Sequence, residues 1–406
     1  MIKSLTLAVG VTLVGVTVVS SAREAVDGST AARTGADEFA SPPISSLLTR
    51  VKPNLPSAEN REAEAKLFAD MSNAQATLPS YTRTYTVPVV DENQNAAPPG
   101  RLITYSHRVI GTDPRLGGIT SIIPVDIVPI VITAPNGITY NPTTEILPGQ
   151  GLSVIDLDRV SPLFNSQQMT LGGITTNTQL LDAWVRGERW QYVQSLPNYH
   201  LLLAPTVFPT LALHPTSAQF QDVSNQPLPD GSGTYGSRFG RVLVFDLAWL
   251  TQQIQSYIAS HPAITPATIP VFVTSYNIVA QIPGGYFGGY HNSVGTQTYI
   301  WHTDVVQRSP PPGSPVPAQL LEHELAELID HPFPAIDPDQ PTCADEGYEA
   351  ADPEQFGQAD FIVNNANGRP FQFQDLAYAG WTEGEYPSTA LQGRYTIQGK
   401  FRFPCF

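Results

Sequence analysis

Positive charge is scarce in this chain. Its 406 residues carry 21 Lys and Arg against 36 Asp and Glu, a formal net charge of −15. Nucleic acid and anionic membrane surfaces are bound through clustered basic residues, so this balance argues against both as partners. Cysteine is scarcer still: Cys343 and Cys405 leave room for one bridge at most. No serine stands in a G-x-S-x-G elbow, which argues against a serine hydrolase. There is no internal repeat, and past the N-terminus no run is apolar enough to cross a bilayer. A charged share of only 14%, beside 38 prolines, describes a β-rich, loop-rich secreted protein.

The N-terminus agrees with that description. Lys3 is a short basic region, Leu5–Val19 is apolar, and Ser20-Ser21-Ala22 supplies small residues before Arg23. This order predicts a signal peptide over residues 1–22, with an uncleaved anchor as the alternative, and a secreted or periplasmic protein without a stable membrane span after cleavage. In an oxidising compartment a bridge between Cys343 and Cys405 is expected, tying the end of the chain back beside its most acidic segment. Residues 23–80 read as a linker or pro-segment with one short helix, Ser57–Met71.

From residue 81 to 406, β-branched runs such as ITSIIPVDIVPIVIT and IPVFVTSYNIVA are interleaved with the helical stretches QLLDAWVRGERWQYVQ and AWLTQQIQSYIASH, which predicts one α+β domain. GGYFGGYHNS reads as a glycine-rich turn. TQTYIWHTDV alternates like a half-exposed strand, able to pair with an extended peptide or protein substrate.

The chemistry concentrates in Leu320–Pro332, LLEHELAELIDHP. Wound as a helix, it places His323, Glu324, Glu327, Asp330 and His331 on one arc of roughly 120°, opposite Leu321, Leu325, Leu328 and Ile329. His323 and Glu327, four apart, aim at one spot, the spacing of H-E-x-x-H zinc helices with a carboxylate replacing the second imidazole. Zinc is the expected metal, and the harder carboxylate ligand keeps manganese and calcium open. Glu324, on the same arc, is the expected water-activating base. The plainer reading is an amphipathic helix with a solvated acidic face. Against it, no Lys or Arg occurs from Ser309 to Gly368, while twelve carboxylates lie between Glu322 and Asp360. A bound cation accounts for such uncompensated charge.

A third ligand is expected from Glu349, with Asp352 in an outer shell orienting His323. His331 is the alternative, but eight helical residues set it about 12 Å from His323, and it suits the helix C-terminus, whose dipole it complements. Tyr290 and His291 are candidate oxyanion stabilisers. Ser314 and Pro315 mark the start of the helix, and Pro332 predicts its end near Asp330 or His331. A mixed sheet with interleaved helices, followed by an H-E helix, is the order of a zincin-like hydrolase.

At these residues the chain resembles a family of secreted bacterial proteins distantly similar to the plant Exordium (phosphate-induced) proteins. Members pair an H-E-x-x-E helix ending in Asp-Pro with a later E-x-G-D-P preceded by a cysteine. Here the helix motif is His323-Glu324-Leu325-Ala326-Glu327, its end is His331-Pro332, and Cys343 precedes Glu349-Ala350-Ala351-Asp352-Pro353. FQDLAYAGW and the tail QGRYTIQGKFRFPC continue the likeness, which covers roughly residues 100–405. Two positions depart from the pattern, His331 for Asp and Ala351 for Gly. The expectation is a secreted metal-dependent hydrolase, a peptidase with a metal-activated water. The alternative is a non-catalytic extracellular or cell-surface protein with a structural metal.

Overall fold

The computed structural model describes residues 77–88, 102–171, 174–228, 231–282, 285–333, 350–351, 360–378 and 395–399. The signal peptide, the linker as far as residue 76 with its helix, Glu349, Asp352 and both cysteines lie outside the described residues, and the last residue of the expected linker, Ser80, opens the first strand.

Antiparallel β1 (Ser80–Pro88) and β2 (Leu102–Ile110) form a two-stranded ribbon. The long β3 (Thr120–Thr133) follows, then the short helix α1 (Val154–Arg159), capped by the Ser153 hydroxyl, and α2 (Leu180–Glu188). Next come β4 (His200–Val207), the helix α3 (Leu247–Ser260), whose first turn is capped by Asp246, and β5 (Ile269–Val273). The edge strand β6 (Gly289–Val294) turns through Gly295 into β7 (Gln297–His302). The helix α4 (Gln319–Asp330) and the hairpin β8 (Phe361–Asn364) with β9 (Pro370–Phe373) complete the described elements used below. The class is α+β, with few helices around a mixed sheet.

The central sheet runs β6-β7-β5-β3, and β4 pairs with the opposite edge of β3. Strands β7, β5, β3 and β4 are parallel and β6 at the edge is antiparallel, while the short strands Thr139–Tyr140 (antiparallel) and Leu211–Leu213 (parallel) also pair with β3. Parallel strands are covered on both faces, and alternate residues divide accordingly. Val125, Ile127, Val271, Val273 and Ile300 join one core with Leu321, Leu325 and Leu328 of α4. Val128, Ile130, Phe272, Tyr299 and Trp301 join another with Leu250, Ile254 and Tyr257 of α3.

Three local expectations need correction. TQTYIWH is not half exposed: every residue of β7 is buried between β5 and β6. Its polar members are satisfied internally, with Thr298 Oγ1 donating to Asn292 O at 3.2 Å and Gln297 Nε2 to Thr298 O at 2.9 Å. The strand at the sheet edge is β6, inside the stretch that reads as a glycine turn. IPVFVTSYNIVA is two strands, Ile269–Val273 and Ile278–Ile282, parted where Asn277 adopts φ 57° and its amide holds Phe239 O and Val306 O. Finally, α4 begins at Gln319, without a side-chain cap at Ala318. Its start is fixed by the pairing of Val316–Pro317 with β9 and by Ala318 N donating to Gln372 O at 3.1 Å. Its end is as expected, at Asp330, with His331 in the capping position.

Candidate metal centre

Helix α4 has no solvated acidic face. Glu322, His323, Glu324, Glu327, Asp330 and His331 are all at most 5% exposed. One side packs leucines on the sheet, and the side carrying His323, Glu324 and Glu327 is roofed by β6 and by Gln374, just past β9.

The geometry centres on Glu327. Its Oε1 lies 3.1 Å from His323 Nε2, and its Oε2 lies 3.5 Å from His291 Nδ1. His291 Nδ1 is also 3.4 Å from Glu324 Oε2. The three donor atoms offered by His291, Glu324 and Glu327 lie within 4.8 Å of one another, and His323 joins them through the far oxygen of Glu327. These separations exceed the 2.7–2.9 Å of a charge-assisted hydrogen bond. They match the edges of a coordination polyhedron, about 3.0–3.5 Å for ligands at 2.0–2.2 Å from one ion. Glu327 Oε1 accepts no hydrogen bond despite its burial. The donor set therefore fits a divalent cation, by distance and by chemistry.

Electrostatics separate the two glutamates. Burial raises the Glu324 carboxyl above its ordinary value. Burial also acts on Glu327, but the imidazoles of His323 and His291 outweigh it and hold that carboxyl below the usual carboxylate range. One group is biased toward carrying a proton, the other toward permanent negative charge.

Of the expected site residues, the structure brings together His323, Glu324, Glu327 and His291. His291 stands among the donors, closer to the carboxylates than an oxyanion role requires. Tyr290 does not join them. It is adjacent in an extended strand, so it points to the opposite face of the sheet, where its hydroxyl bonds Thr251 Oγ1 at 2.9 Å and its ring packs on Trp301. Burial raises that phenol far above its ordinary value. His331 is apart as well, its ring facing that of His107 at 6.2 Å between centroids.

The residue that orients His323 among the described ones is Gln374, which sequence reasoning missed. Its backbone N–H donates to Glu322 Oε2 at 2.8 Å and its Nε2 to Ala351 O at 2.7 Å. Both ends of the same amide lie near His323 Nδ1, Oε1 at 3.4 Å and Nε2 at 3.3 Å, so Gln374 braces the imidazole from the side away from Glu327. The only sequence signal was its place in FQFQD, at the end of an alternating strand.

Comparison of the chain with protein-family models, curated proteins and solved structures gives no match in any of the three. Among the described residues no helix is long and apolar enough to cross a membrane.

Proposed function

We propose that the protein is a secreted metal-dependent hydrolase of zincin-like design, acting on extended peptides. One observation carries this reading: donor atoms of His291 from β6 and of Glu324 and Glu327 from α4 lie within 4.8 Å of one another in a buried position, with His323 Nε2 on the far oxygen of Glu327. A cation there supplies a Lewis acid and an activated water, with zinc favoured by two imidazoles and manganese allowed by the carboxylate. The chain's own contribution is position. Gln374 fixes His323, Glu327 holds negative charge between two imidazoles, and Glu324 sits where a carboxyl biased toward protonation can accept a proton and return it. Strand β6, at the sheet edge beside the site, is where an extended chain adds main-chain hydrogen bonds. The resemblance to secreted H-E-x-x-E proteins supports the location of the site rather than the reaction, and its Exordium side favours the non-catalytic alternative.

The experiment compares metal content and peptide cleavage in the wild type and in Glu324→Gln. The variant is expected to keep its metal and its melting temperature while losing activity about 10²–10⁴-fold. A metal-loaded wild type that cleaves nothing in a broad peptide library, or a variant as active as the wild type, refutes the hydrolase.

A second reading is favoured by the depth of the site. His291, Glu324 and Glu327 are 8%, 5% and 3% exposed, an enclosure that suits a structural ion holding α4 to β6. In that case Glu324→Gln changes no activity, and chelation unfolds the protein.

A further inference from the structure

Glu324 has a second imidazole beside it, on the oxygen turned away from His291. In the ladder between β6 and β7, Gly289 stands opposite His302. One position earlier, Thr303 N donates to Gly288 O at 2.8 Å, so Gly288 and Thr303 are a hydrogen-bonded pair. Such pairs alternate along an antiparallel ladder, which makes Gly289 and His302 a pair without mutual hydrogen bonds, the kind whose side chains lie closer together. Their side-chain positions share one face, about 4.5–5.5 Å apart. Gly289 leaves its position empty, and Glu324 fills it: Oε1 lies 2.9 Å and Cγ 3.1 Å from the point where a Cβ would stand. Oε1 is therefore next to the side chain of His302, while Oε2 faces His291 Nδ1 at 3.4 Å.

His302 is itself held in place. It closes β7, is fully buried, and its Nε2 forms an ion pair with Asp158 Oδ2 of α1 at 3.4 Å. Burial works against charge on the ring, but Asp158 foremost, with Asp304 and Glu324 in the same direction, outweighs it and raises the imidazole above its ordinary value. A buried ion pair adds little net stability. What this one adds is a fixed positive charge on one side of Glu324. The ring makes no hydrogen bond to that carboxyl and acts on it through charge.

We propose that His302, anchored by Asp158, is a positioning residue for Glu324. It holds Oε1 over Gly289 and so leaves Oε2 as the oxygen turned to the metal centre. The carboxyl is bracketed by one imidazole from each strand of the hairpin. This role rests on the reading of Glu324 as the proton-accepting base of a hydrolase.

The test joins a spectrum to a rate, on the full chain loaded with zinc. The ring-nitrogen resonances of His302, assigned by the signals lost in His302→Gln, are expected to shift in Glu324→Gln and in Asp158→Asn. In peptide cleavage His302→Gln should lower kcat about 10–100-fold, with KM and metal content unchanged. Asp158→Asn, nearly the same size and outside the donor set, should lower kcat in the same way and serves for the rate if His302→Gln does not fold. Signals of His302 that ignore Glu324→Gln overturn the proposal. So does a folded variant with the kcat of the wild type, or one whose loss lies in KM or in bound zinc. A wild type that holds zinc and cleaves nothing refutes the hydrolase instead, and the response of His302 to Glu324→Gln then decides whether the ring holds that carboxyl.

Discussion

Strands β6 and β7 present two faces that differ in kind. Toward α3 they send Tyr290, Tyr299 and Trp301, which pack with one another and Phe287 at ring-centroid distances of 5.8–6.2 Å, edge to face except for the tilted Tyr290–Trp301 pair. Toward α4 the same strands send His291 and His302, opposite Glu324 and Glu327. The first face is large apolar area removed from water, the main source of folding free energy. The second removes charge from water and costs free energy until something compensates it. One ladder of backbone hydrogen bonds thus carries stability on one side and holds an unstable arrangement of charge on the other. The aromatic layer is what allows the polar layer to exist.

Four measurements can break or sharpen that contrast. Trp301→Ala attacks the stabilising face and should cost about 3–5 kcal/mol in denaturant titrations run with chelator present. A loss below about 1 kcal/mol would erase the distinction between the faces. On the other face, chelation of the wild type should lower stability by roughly 3–4 kcal/mol relative to metal held at 100–1,000 times its dissociation constant. His291→Ala and Glu327→Ala should lose the contribution of the α4 centre to that response, and melts that shift as far as wild type would refute their role as ligands. Gln374→Ala leaves every donor in place but frees His323 to turn. It should weaken metal binding by about 10–100-fold, read by competition with a chelating dye. The smallest effect belongs to Tyr290→Phe, about 0.5–1.5 kcal/mol for the lost hydrogen bond to Thr251, with metal content unchanged. Loss of metal in that variant would return Tyr290 to the site.

Much of α4 was legible because its information is local. The four-residue spacing of His323 and Glu327, the leucines on the other arc and the stop before Pro332 all follow from helix geometry. What the helix meets is not local. His291 reaches Glu327 only because the Val294–Gln297 turn pairs β6 with β7 and α4 packs across both. No spacing within LLEHELAELIDHP encodes that register. Tyr290 and His291 were read as a pair because they are neighbours in sequence, yet in a strand neighbours are the residues that part. The burial of β7 was hidden by Thr298 and Gln297, whose polarity looks like solvent exposure until their internal partners are known. The start of α4 was misplaced for a related reason: Ser314 and Pro315 carry a start signal, but pairing with β9 delays the helix to Gln319.

Gly289 carries a consequence of its own. A methyl group built there would stand 2.9 Å from Glu324 Oε1, closer than real side chains approach, and a tight 3.3 Å from Trp301 O. The missing side chain on the strand and the carboxylate on the helix therefore occupy one volume between them. Over descent the two positions should behave as a single inherited character. A lineage that acquires a side chain at 289 should be one that has shortened or lost the residue at 324. Among chains descended from a common ancestor with this one, that exchange would mark the branch on which the chemistry of the site was given up.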